Sequence, residues 1–169
     1  MSMDRTELLR LVNSSQNCKC CGLLLGPAIC YRGVLKPKVL FIGEAPGTSE
    51  YVLRKPFIGP AGKALEAMIQ QAGLPKQVGF TNVVWCFPQN EELLRQEYAL
   101  QCFQFWGKLL DMCKGAKLVA VGKFAKKVLE EKGVGFATWL YHPSYVLCCE
   151  HIRKKQLWDL NVSKLKLIR

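Results

Sequence analysis

The stretch "VLFIGEAPG", residues 39–47, decides how this chain is read. "VLFIG" is an unbroken β-branched and aromatic run with no polar alternation, the pattern of a strand covered on both faces. Pro46 and Gly47 then turn the chain, which puts Glu44 at the carboxyl end of that strand. Open α/β sheets bind their ligands at such ends. Taken alone, Glu44 reads first as a solvated loop glutamate, so the rest of the chain has to decide.

Working outward, a short helix is expected over roughly 4–13, then a Cys- and Gly-rich irregular segment, then the strand at 38–43. "GPAGKALEAMIQQAGL" follows with Ala64, Leu65, Met68, Ile69 and Ala72 on the i, i+3, i+4 stripe of a helix. "GFTNVVWC" at 79–86 reads as a second strand. A helical pattern runs from Glu91 to Met112 with Leu93, Leu94, Tyr98, Cys102, Phe105, Leu109 and Met112 on its apolar side. "AKLVAVG" (116–122) is a third strand, "KFAKKVLEEKG" its following helix, "FATWLYHPS" a fourth strand entering a His-Pro turn, and a last helix covers roughly 150–165. This alternation predicts a parallel sheet with helices on both faces, a three-layer α/β/α sandwich. Four loops, at Glu44, Phe57, Asn82 and His142, then open near strand ends and can converge on one cleft.

The chain has 169 residues, half of them apolar, enough for one globular domain spanning 1–169 with a real core. No run approaches the about 18 apolar residues of a membrane span, and the amino-terminal pattern is acidic and amphipathic, not signal-like. A soluble cytoplasmic monomer with no membrane partner is expected. Lys and Arg number 24 against 13 Asp and Glu, a formal charge of +11 that suits a polyanion, most simply nucleic acid. Part of that excess lies in "HIRKKQLWDLNVSKLKLIR", which also reads as the solvated face of a final helix.

Without a secretory signal the 9 cysteines are reactive, buried or metal-ligating thiols and not a disulfide framework. Cys18 and Cys21 form one candidate ligand pair, Cys86 and Cys102 another. Two such pairs point to a four-cysteine centre, zinc or iron-sulfur, and spacing does not choose between them.

"GEAPGTSE", "PFIGPAGKALEAM", "TNVVWCFPQN", the cysteine spacing, "AKLVAVG" and "HPSYVL" together resemble the motif series of the family 4, iron-sulfur uracil-DNA glycosylases. The series runs in order from about Cys18 into the final helix. The resemblance implies an α/β/α sandwich around a four-stranded parallel sheet. It also implies a structural 4Fe-4S cluster on Cys18, Cys21, Cys86 and Cys102, with Cys20 the competing ligand in "CKCC". The implied activity is excision of uracil from single- or double-stranded DNA, with the protein at the nucleoid when DNA-bound.

The chemistry that this resemblance implies assigns each candidate a task. Extruding a base from the stack needs a surface to hold it, and Phe57 is the stacking ring, unless it is simply core. Asn82 is the amide that donates to uracil O4 and accepts from N3–H, a pattern that cytosine reverses; otherwise it is a turn-forming Asn. His142 donates to uracil O2 as charge builds on the leaving base, or is satisfied by backbone in its turn. Glu44, helped by the Ala45 backbone, orients water at C1′ and stabilises the sugar cation. Ser144 holds a phosphate, Leu147 wedges into the gap left by the extruded nucleotide, and Arg153 adds non-specific DNA contact.

The chain departs from the family pattern at Tyr51, usually acidic; at Arg54, usually glycine; at "FPQ" (87–89), usually Arg-Pro-Pro; and at Cys148, commonly Arg. These departures bear on activity and base range, not on fold. They keep two readings beside the uracil enzyme: a glycosylase for another deaminated or modified base, and a non-catalytic DNA-binding member. A thiol-redox or electron-transfer protein would leave Glu44, Asn82 and His142 unexplained.

Overall fold

A computed structural model describes residues 4–22, 27–88 and 96–169. The elements in order are α1 (Arg5–Gln16), β1 (Arg32–Gly33), β2 (Val39–Gly43), α2 (Thr48–Leu53), α3 (Pro60–Ala72), β3 (Val78–Asn82), α4 (Gln96–Met112), β4 (Lys117–Val121), α5 (Lys123–Glu131), β5 (Thr138–Leu140), α6 (Pro143–Cys148) and α7 (His151–Leu167). The strands form one sheet in the order β1-β3-β2-β4-β5. The four parallel strands expected from the sequence are β2 to β5. A fifth, the two-residue β1, adds an antiparallel edge against β3 that was not foreseen.

Burial of the whole of β2 follows from its central place. Leu40 and Ile42 point into a core shared with Leu11 of α1, Trp106 and Leu109 of α4, and Val128 and Leu129 of α5. Val39 and Phe41 point the other way, into a core with Leu65 and Met68 of α3, Val146 of α6, and Val162 and Leu165 of α7. These are the two outer layers of the sandwich.

From β2 the chain moves to β3 through α3, then returns past β2 to β4 through α4. Right-handed crossovers in opposite directions lay their helices on opposite faces, so the carboxyl end of β2 is a topological switch point. Glu44 is the first residue beyond it.

Residues 91–95 of the helix expected from Glu91 to Met112, including Leu93 and Leu94, lie outside the described residues. Among the described residues no helix is long and apolar enough to cross a membrane.

Candidate active site

Gly43 and Asn82 are register partners closing the β2–β3 ladder, and two further bonds carry the pairing past the strands: Val83 N donates to Gly43 O (2.9 Å) and Val84 N to Glu44 O (2.9 Å). The loops that leave these ends enclose a pocket of about 450 Å³ lined by Glu44, Ala45, Phe57, Asn82, His142 and Ser144 among others. Six of the expected non-metal site residues therefore meet. Leu147, half-buried on α6, and Arg153, exposed on α7, do not line the pocket. Arg153 instead donates to the Tyr145 hydroxyl (2.9 Å).

The floor depends on two glycines. A Cβ on Gly43 would come within 2.4 Å of the Phe57 ring and 2.6 Å of Asn82 Oδ1; one on Gly62 would strike the Phe57 carbonyl oxygen at 1.8 Å. Phe57 itself sits at φ 56°, a left-handed conformation that costs a non-glycine residue about 1–3 kcal/mol and persists where neighbours over-determine it. Arg32 supplies that constraint. Its Nε donates to Pro56 O (2.8 Å), Nη2 to Phe57 O (2.9 Å) and Nη1 to Glu66 (2.6 Å), while its guanidinium covers the Phe80 ring at 4.2 Å. A planar fork with this many donors is what arginine offers and lysine does not.

His142 caps α6. The Ser144 backbone N–H donates to its Nδ1 (3.3 Å), with Ser144 Oγ 2.7 Å from the same atom. A backbone amide can only donate, so Nδ1 is the acceptor, the neutral ring carries its proton on Nε2, and the Ser144 hydroxyl donates. Burial pushes the His142 pKa below its ordinary value, partly offset by the Glu50 charge. The pocket therefore holds a neutral imidazole. One residue earlier, buried Asn161 of α7 clamps the Tyr141 backbone, accepting from its N–H (2.9 Å) and donating to its C=O (2.9 Å).

The thiols gather elsewhere. Cys18, Cys20, Cys21, Cys86 and Cys102 line one small cavity with Ser15, Trp85 and Phe105, and all nine cysteines are free. Burial raises the pKa of Cys86 to about 12, helped by the charges of Cys21 and Cys18; Cys102 is pushed up by burial too, with Cys86, Cys21 and Cys18 as its charged neighbours. Cys20 is exposed and accepts from Gln104 Nε2 at 3.0 Å. It is the exposed one of the five, beside half-buried Cys18, Cys21 and Cys102 and buried Cys86. Among the described residues no three His, Cys, Asp or Glu side chains close up as a site for a single metal ion. Four thiols drawn from these five still fit a cluster bound through sulfur alone.

Residues 31–165 match the family model described as "Uracil DNA glycosylase superfamily". The chain belongs to the uracil-DNA glycosylase superfamily. Named relatives agree. A type-4 uracil-DNA glycosylase from Thermotoga maritima is 30% identical over 182 aligned positions, covering 95% of this chain and 95% of its own. One from Saccharolobus solfataricus is 29% identical, covering 90% and 82%. One from Pyrobaculum aerophilum is 32% identical, covering 76% of this chain and 66% of its own.

Within this superfamily member, sequence reasoning missed the residues that hold the site in place. Glu50 is one: its carboxylate accepts from Gly47 N (3.1 Å) and Gly59 N (2.7 Å), fastening the "GEAPG" loop to the "PFIG" loop. The spacing of Glu50 three residues after Gly47, the return half of a capping box, was the available signal. Arg32 and Asn161 carried none, because their partners are groups distant in sequence.

Proposed function

We propose that this chain is a DNA-repair glycosylase that extrudes uracil from DNA and hydrolyses its N-glycosidic bond, leaving an abasic site. The observation that carries this is the meeting of Glu44, Phe57, Asn82 and His142, from the end of β3 and three separate loops, around one pocket. The uracil ring lies on Phe57, whose left-handed turn is held by Arg32. The Asn82 amide donates to O4 and accepts from N3–H; a mismatched base leaves these buried groups unpaired, worth about 10⁴-fold in selectivity.

As the C1′–N1 bond breaks, its electron pair passes to the base and builds on O2, where the Nε2–H of neutral His142 donates. Glu44 stabilises the sugar cation by charge and orients the water that bonds to C1′, accepting that water's proton. Its neutralisation costs little binding, because this interaction strengthens only as the cation develops. Ser144 and nearby amides take a phosphate, Leu147 fills the gap in the stack, and Arg153 adds charge on the same side. Every group in this account comes from one chain, so a monomer suffices.

Cys18, Cys21, Cys86 and Cys102 would hold a 4Fe-4S cluster, fastening the segment after α1 to the segment that follows β3 and to α4. When bound it supplies a structural fastening, and no step of the hydrolysis runs through it.

The test is a panel of oligonucleotides with one uracil, cytosine, thymine or hypoxanthine, incubated with protein and treated with alkali. Cleavage at uracil alone is expected. DNA binding without abasic sites would favour a non-catalytic member, and excision of a different base would reassign the pocket.

A further inference from the structure

Three of the positions at which the sequence departs from the usual family pattern meet in space. The Tyr51 and Phe87 rings stack with centroids 4.8 Å apart and planes 26° from parallel. The Arg54 guanidinium carbon lies 4.4 Å from the Tyr51 ring centroid. Tyr51 is thus in contact with both Phe87 and the Arg54 guanidinium. Where the family usually carries an acid and an arginine, this chain has ring on ring.

Phe87 also lines the pocket, together with Pro88. Depth separates it from the base-holding groups: Phe57 and Asn82 are 7% and 2% exposed, whereas Phe87 and Tyr51 are half-buried and Arg54 is exposed. The stack therefore stands at the rim. A space of about 450 Å³ is in the range of drug-sized ligands, more than one pyrimidine fills. An aromatic face beside a nucleic-acid site interacts with bases by stacking, whatever their sequence, and arginine adds to such a platform.

We propose that Phe87, backed by Tyr51 and Arg54, is a stacking site for the nucleobase next to the extruded one. This rests on the reading that the pocket takes a base from DNA. A neighbour reaches the rim only by leaving its own stack, so the site favours unpaired strands.

Fluorescence anisotropy with short single-stranded oligonucleotides tests this. Each carries 2′-fluorodeoxyuridine, which resists glycosidic cleavage, and has either bases on both sides, an abasic spacer on the 5′ side, or a spacer on the 3′ side. For the unmodified protein one spacer should weaken binding by about tenfold, as loss of a stacked base does. Phe87→Leu, which keeps apolar bulk beside Cys86, should lose a similar factor on the fully based strand and nothing more with that spacer. Phe87→Trp should restore the difference. Should Phe87→Leu fail to fold, Tyr51→Leu removes the backing and should shrink the same spacer effect. Equal losses on all three strands, or none, overturn the proposal. A fourth strand carries a spacer in place of the uracil base itself; an effect of Phe87→Leu that vanishes only on that strand also overturns the proposal, since that would make Phe87 part of the base pocket. Excision of ordinary uracil is measured in parallel: normal excision without neighbour dependence sinks the stacking site alone, whereas absent excision sinks the enzymatic reading.

Discussion

Gly43 and Asn82 face each other in register at the ends of β2 and β3, and the space beside Gly43 is filled by Asn82 Oδ1 and the Phe57 ring. The glycine that ends "VLFIG" is therefore part of the pocket floor. Gly43→Ala should displace both side chains. We expect a loss of about 1–3 kcal/mol in stability, the usual cost of overpacking, and a loss of uracil excision larger than the stability change explains. Thermal unfolding and single-turnover rates on the same preparation check this.

The neutral state of His142 gives a signed pH prediction. Its pKa is lowered from 6.5 by burial, so the unfolded chain binds the proton more tightly. The stability contribution from this residue rises with pH between the lowered value and 6.5 and is flat above, and the acid limb of excision assigned to it lies below 6.5. Glu50→Gln removes a charge that partly offsets burial and should move the titration lower still. The chain has 2 histidines, so an NMR titration with a His151→Asn control assigns the resonance directly. A His142 titrating above 6.5 contradicts the account.

Asn161→Leu leaves the Tyr141 N–H and C=O without their partner, at a cost of about 1–3 kcal/mol for each group left buried and unpaired. A lower melting temperature is expected, together with slower excision, because the released backbone leads directly into His142. Asn161→Asp, which keeps the acceptor for Tyr141 N–H, should recover part of both.

The central strand was legible because "VLFIG" has no polar alternation, and the structure gives the reason: core packs on both of its faces. The second strand was read too long. β3 stops at Asn82 because its partner β2 stops at Gly43, although Val83 to Cys86 stay buried and apolar. β1 has two residues and no periodicity to detect, and the six-residue α2 and α6 are too short to show a helical stripe. At the site, the residues that face the pocket were legible from motifs. Arg32 and Asn161 were not, since each acts through groups brought near only by folding, and Glu50 offered only its local spacing from Gly47, with Gly59 brought to it by the fold.

The thiol cavity predicts a coloured protein. Purified without oxygen it should be brown with broad absorbance near about 400 nm, as thiolate-bound iron clusters are. Because ligand thiols raised by burial must lose protons to bind, loading should release acid and be weaker at low pH. Cys86→Ala should abolish colour and destabilise the whole domain, whereas Cys20→Ala should keep the colour. Colourless protein with stoichiometric zinc would contradict the cluster.

Single-turnover excision by Glu44→Gln, measured beside affinity for uracil-containing DNA, tests the central claim most directly. A carboxylate that orients water and stabilises a cation formed only in the transition state predicts a rate lower by orders of magnitude with nearly unchanged binding. A wild-type rate would contradict it and move the work to another group or to the phosphates of the substrate.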